Sequence, residues 1–173
     1  IGSTTTVEAV SKKKNQIFGG GTIGSGNADM GNALLLSGSS QYISVPVAVR
    51  SPLDLKGPMT IEALIQPSAV SGVSPVISKA SQLQFFLKDG KVVFGLYDSV
   101  NRSWQSVSSQ RIVSAGAWVH VAGTYDGTAM KVFIDGVEDA SLKATVRFIL
   151  TSYNTTFGLG ATSAGKGSFQ GKI

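Results

Sequence analysis

The chain has 173 residues, no cysteine and one histidine, enough length for one domain and too few soft ligands for disulfides, iron–sulfur clusters, thiolate zinc or a two-histidine metal site. Charged residues make up only 14%, against roughly 25% in an average soluble domain, while hydrophobic residues reach 42% and 21 residues are glycine, a balance that excludes a disordered chain. The net charge of +5 comes from scattered cations with a single run, Lys12-Lys13-Lys14, and no interleaved aromatics, which argues against a nucleic-acid partner.

Residues 1–27 read as an arm followed by a hinge. Thr4 to Val10 is β-prone, the lysine run breaks it, and Gly19-Gly20-Gly21 to Gly26 reads as a flexible loop. Strand candidates then follow at Ala33-Leu36, Gln41-Val45, Met59-Gln66 and Pro75-Ser78. All five prolines lie at the ends of these runs, where a missing N–H harms a ladder least. Leu83, Phe85 and Leu87 share one face, and Val92, Phe94 and Leu96 share another, across Asp89-Gly90. Ser103-Ser108 is next, then Trp118 to Tyr125, which leads into Asp126-Gly127. Met130, Val132 and Ile134 alternate before Asp135-Gly136, and Val137 to Leu142 follows it. Thr156-Gly160 and Ser168-Ile173 complete the set. Asp-Gly between alternating runs predicts two-residue hairpins, because primed turns need positive φ at both central positions. About a dozen short strands of period two predict an all-β antiparallel sandwich. No apolar stretch is long enough to span a membrane as a helix. The chain starts at Ile1 without a visible signal peptide, which fits a mature or trimmed form.

From about Gly31 onward the chain resembles the laminin-G-like jelly rolls of the concanavalin A-like lectin/glucanase superfamily. Gly31-Asn32-Ala33-Leu34 with Ser37 to Ile43 resembles the opening strand pair. Met59-Thr60-Ile61-Glu62-Ala63-Leu64-Ile65-Gln66-Pro67 is similar to a characteristic strand, with Leu64 where the family usually has Trp. The most specific block is Ala117-Trp118-Val119-His120-Val121-Ala122-Gly123-Thr124-Tyr125-Asp126-Gly127, running into Met130 to Val137. Thr156 to Gly160 and Phe169-Gln170-Gly171-Lys172-Ile173 resemble closing strands. The resemblance implies a jelly-roll domain over 28–173. It also implies that the first and last strands are neighbours. The family's usual opening strand and closing segment are not matched, so one sheet edge is expected to be incomplete.

Some members of the superfamily hydrolyse glycosides, which takes two carboxylates roughly 5–5.5 Å apart or further. The glutamates are Glu8, Glu62 and Glu138, and none forms a pair spaced for one face of a strand. Glu138-Asp139 are adjacent and point to opposite faces. His120 and Trp118 share a face and are expected to be structural, with Trp118 in the core. The chain is therefore expected not to be an enzyme. The resemblance implies calcium as a cofactor the family can carry. Asp29, Asp54, Asp98, Asp126 and Asp139 are the candidate ligands by loop placement.

Sugar binding needs aromatic platforms beside polar groups. Tyr42, Tyr97, Trp104, Tyr125 and Tyr153 are aromatics with a polar handle outside the best core slots. Asn101, Arg102, Trp104 and Gln105, with Tyr97, form the most site-like cluster: a planar donor fork, two amides and flat rings. Asn101-Arg-Ser and Asn154-Thr-Thr also fit glycosylation sequons. The leading expectation is a non-catalytic extracellular or cell-surface recognition module whose partner is a glycan. The second is a structural surface subunit (filament, adhesin or virion protein) that assembles with surface proteins or its own copies through the jelly roll and the Thr4–Val10 arm.

Overall fold

A computed structural model describes residues 5–7, 14–28, 31–49, 53–148, 155–162, 165 and 167–173. The described residues form fifteen strands and no helix. In chain order these are β1 (Thr5–Val7), β2 (Lys14–Phe18), β3 (Thr22–Ser25), β4 (Asn32–Ser37), β5 (Tyr42–Val47), β6 (Met59–Pro67), β7 (Val73–Lys79) and β8 (Leu83–Lys88). They continue with β9 (Lys91–Asp98), β10 (Ser103–Ser108), β11 (Val119–Tyr125), β12 (Ala129–Ile134), β13 (Val137–Lys143), β14 (Thr155–Leu159) and β15 (Gln170–Lys172). Eight strands form one sheet in the order β1-β2-β5-β14-β7-β8-β9-β10. Seven form the other, β13-β12-β11-β6-β15-β4-β3. Every pairing is antiparallel.

Period two drives this arrangement. Leu83, Phe85 and Leu87 on β8 and Val92, Phe94 and Leu96 on β9 are buried on the inner face of the eight-stranded sheet. Val119, Val121, Tyr125, Met130, Val132 and Ile134 answer from the seven-stranded sheet. Burying a side chain of this size contributes roughly 1.5–3 kcal/mol, so the facing rows supply most of the driving force. The two sheets come close at Gly123: a Cβ there would lie 2.6 Å from Phe94 Cγ. The Phe94 ring therefore packs onto bare backbone.

Two of the three Asp-Gly pairs form the expected turns. Asp89-Gly90 joins β8 to β9 and Asp135-Gly136 joins β12 to β13, with positive φ at all four residues. Asp126-Gly127 does not. Only Gly127 has positive φ, and Asp126 Oδ1 instead accepts from the Thr128 N–H (2.7 Å), the Thr128 hydroxyl (2.8 Å) and the Ala129 N–H (2.8 Å). This side-chain-closed turn holds Asp126 below the ordinary carboxylate range, chiefly through the Thr128 amide.

The segment read as a glycine hinge is built into the sandwich. β2 pairs with β5 in one sheet and β3 pairs with β4 in the other, and Ile17 joins the core. Gly19 and Gly20, at φ +68 and +79, turn the chain between the sheets. A Cβ on Gly19 would meet the Ser40 carbonyl at 2.4 Å, where the β4–β5 connection makes the reverse crossing. A glycine pair that looked like flexibility is thus a fixed corner, packed at Gly19. Within the arm, β1 pairs with β2 of the same chain. The expected incomplete edge is also placed differently. β15 is interior, between β4 and β6, and the outer strands are β1, β10, β13 and β3.

One ion pair sits inside. Lys79 (1% exposed) reaches Asp54 at 3.2 Å and lies 5.6 Å from the centre of the Phe157 ring, and Lys56 holds the other Asp54 oxygen at 2.6 Å. Burial pushes the Lys79 ammonium below its ordinary value, against the hydrogen bond and charge of Asp54. Asp54→Ala strands a buried ammonium and is expected to cost about 3–5 kcal/mol in urea denaturation. Lys79→Met, which leaves Asp54 bonded to Lys56, should cost less. In the same assay Gly123→Ala should cost about 1–3 kcal/mol, the range for overpacking a tight core, because the Phe94 ring must move.

Candidate functional site

The outer face of the eight-stranded sheet breaks the alternation that keeps polar residues outside. Register places Pro75, Phe86 and Val93 in one row across β7, β8 and β9, and Ser78, Gln84, Gly95 and Ser106 in the next. Trp104 faces Tyr97 one row further on, with ring centroids 5.3 Å apart and planes at 61°. This edge-on packing is a favoured aromatic geometry. The Trp104 ring leans back over Gly95, whose missing Cβ would lie 3.6 Å from Trp104 Cε3. At the far end Val73 stands beside Lys88, which faces Lys91 across the Asp89-Gly90 turn.

These rows enclose a groove of about 300 Å³ whose outward side chains include Val73, Pro75, Gln84, Phe86, Lys88 and Trp104. Ser81 and Thr162 supply hydroxyl-bearing positions along it, the Ser78 hydroxyl donates to the Ala161 carbonyl at 3.1 Å, and among the described residues no Asp or Glu lines it. Val73 is 58% exposed and Trp104 38%, so large apolar surface faces solvent here at both ends. The groove has the composition of a small-molecule cleft: rings, aliphatics and a few polar groups.

The sequence cluster is divided by the fold. Trp104 and Tyr97 are brought together on the outer face. Gln105 pairs with Leu96 on the opposite face of β10. Asn101 is engaged in its turn: its N–H (2.8 Å) and side-chain amide (3.2 Å) both go to Asp98. Arg102 is exposed in that turn at φ +52. Gln84, Phe86, Lys88, Val73 and Pro75 were not anticipated. Phe86 carried a readable signal, an aromatic out of phase with Leu83, Phe85 and Leu87. Among the other aromatics, Tyr42 stacks on Phe18 with centroids 4.8 Å apart. Tyr125 is core rather than surface: it is 4% exposed and its hydroxyl accepts from the Val146 N–H at 2.8 Å. Tyr153 lies outside the described residues.

Trp118 is half-buried just before β11 and does not join the core. The inner positions of β11 are odd-numbered, so Trp118 and His120 both fall on its outer face. There His120 Nε2 lies 3.2 Å from Glu62 Oε2, both side chains well exposed. Glu138 pairs with Lys131 at 2.8 Å. Its neighbour Asp139 turns the other way to Arg111 (2.7 Å) and the Gln110 N–H (2.6 Å). Glu8 lies outside the described residues.

Among the described residues, the calcium candidates do not converge on one another. Asp54 holds two lysines, and Asp126 and Asp139 are engaged as above. Asp98 is fully buried and accepts from the Asn101 and Val100 N–H groups, with Arg147 3.4 Å away. The Asn101 amide chiefly, working against burial, holds it below the ordinary carboxylate range. Asp29 lies outside the described residues. Among the described residues no three His, Asp or Glu side chains converge. A hard cation needs six or more oxygens, and these carboxylates do not supply them together.

A family model described as the concanavalin A-like lectin/glucanases superfamily, of the laminin G type, matches residues 37–173. No curated protein matches the chain in sequence. Among solved structures, the chain is similar to domain 4 of AbnA, a GH43 extracellular arabinanase from Geobacillus stearothermophilus, in complex with arabinotriose: 24% identity over 91% of this chain and 78% of that one, TM-score 0.71. It is similar to the Ruminococcus gnavus IT-sialidase CBM40 bound to alpha2,3 sialyllactose, at 17% identity over 82% of this chain and 85% of that one, TM-score 0.62. It is also similar to domains LG4-5 of the mouse laminin alpha1 chain, at 20% identity over 74% of this chain and 33% of that one, TM-score 0.54. At these identities the likenesses show the fold: this chain belongs to the concanavalin A-like lectin/glucanase superfamily as a laminin-G-type jelly roll.

Proposed function

We propose that this chain is a non-catalytic carbohydrate-binding module of the cell exterior, and that it holds a glycan in the groove between Trp104 and Val73. One observation carries the reading. Trp104 stands 38% exposed beside an apolar groove, edge-on to Tyr97 and above Gly95, on a face that alternation would otherwise make polar. An aromatic ring already packed against a second ring meets a ligand without giving up further order. Phe86 extends the apolar floor, and Gln84 with Ser81 supplies donors and acceptors for hydroxyl groups. Two of the similar structures, the AbnA domain and the CBM40, are sugar complexes, which supports the reading. The His120–Glu62 contact lies on the other sheet, away from this groove, and it has no nucleophile assigned to it.

Affinity electrophoresis and titration calorimetry against arabinan, xylan and galactan oligosaccharides test the proposal. Trp104→Ala should weaken binding at least tenfold, about 1.4 kcal/mol. Its Tm should move by only a few degrees, since the lost contact with Tyr97 is worth about 0.5–1.5 kcal/mol. Retained affinity in this variant, or a collapse of its stability, counts against the groove. Reducing-end release from the same polysaccharides should stay at background for the unaltered protein, and turnover abolished by Glu62→Gln would make it a hydrolase instead.

A further inference from the structure

The groove is electrically one-sided. Its outward charged side chain is Lys88. The other lysine along it, Lys79, is buried inward on Asp54, and among the described residues no carboxylate lines it. Lys88 stands directly opposite Lys91 in the β8–β9 register, on the same face and exposed. Like charges directly across a strand pair destabilise a hairpin, so the arrangement costs stability unless an anion shares it. Asp89, the acid of that hairpin, sits in the turn, and its Oδ1 accepts from the Gly72 N–H at 2.8 Å. Counting all three, this end of the groove keeps a positive balance. Lys88 lies four residues along β8 from Gln84, about 13 Å at the strand rise. A ligand stacked at Trp104 that runs down the groove past Phe86 therefore meets an ammonium pair at its far end.

Resting on the glycan reading, we propose that the groove selects an acidic saccharide: a neutral sugar ring stands against Trp104, and a carboxylate of a residue further along the chain pairs with Lys88 and Lys91. The ammonium groups are point donors suited to a carboxylate.

The test uses the whole protein and two probes, a galacturonate trimer and the neutral galactose trimer, by titration calorimetry in 20 mM and 500 mM NaCl. The acidic trimer should bind at least tenfold tighter than the neutral one at low salt. That advantage should disappear in 500 mM NaCl and in Lys88→Met, while Lys88→Arg should retain most of it. Both substitutions are at an exposed hairpin position, and circular dichroism melting checks that they leave the fold intact. Equal affinity for the two trimers, with Trp104→Ala weakening both, overturns the acidic preference and leaves the glycan groove standing. Binding of the acidic trimer that is unchanged in Trp104→Ala overturns the groove reading and this inference with it, as does binding of neither trimer.

Discussion

The contact of Phe94 with Gly123 sets much of what the molecule can be. Two stacked sheets lie about 10 Å apart, and here an aromatic ring from one meets bare backbone of the other, with no room for a Cβ. Large-into-small packing of this kind fixes a register as well as a distance. Slipping β9 by one residue would bring Gly95 or Val93 inward and send Phe94 to solvent. With Phe94 locked, its neighbours are locked outward, which puts Gly95 under the Trp104 ring and Val93 beside Phe86. The face that carries the groove is thus positioned from behind, by the core.

Much of the fold was legible because the physics that forms it is local. Alternation on β8, β9 and β12 and the Asp-Gly turns at 89–90 and 135–136 needed nothing beyond adjacent residues. Asp126-Gly127 has the same two letters and a different turn, because Asp126 spends its side chain on the Thr128 and Ala129 amides. β2 and β3 were illegible for a related reason. Gly19 and Gly20 between short runs suggest freedom, and what removes it at Gly19 is Ser40, 21 residues away in sequence. The interior place of β15 likewise depends on β4 and β6, and nothing in Gln170-Gly171-Lys172 announces it.

The site was half legible. Trp104 and Tyr97 could be named because exposed-type aromatics in a polar strand are unusual. Asn101 and Gln105 were grouped with them by sequence distance, which is the wrong metric on a strand. Gln105 is one residue from Trp104 and therefore on the other face, whereas Gln84 is twenty away and, through Gly95, on the same one. Trp118 failed in the mirror sense. Its size suggested core, yet β11 places even-numbered residues outside, and the inner positions go to Val119, Val121 and Tyr125.

Charge is placed with the same economy, and it separates structure from recognition. Nearly every described acid is already committed: Asp54 to two lysines, Asp98 to a turn and Arg147, Asp126 to a turn, Asp139 to Arg111, Glu138 to Lys131 and Glu62 to His120. Arg111 also donates to the Ile134 carbonyl at 2.6 Å, so this pairing ties the β10–β11 loop to the edge of the opposite sheet. None of these acids lines the groove, and the lysines at 88 and 91 have no acid facing them in the register. A protein with a net charge of +5 and only 14% charged residues has few cations to place. Putting two of them face to face beside an apolar cleft gives up hairpin stability, which an anion bound there would restore.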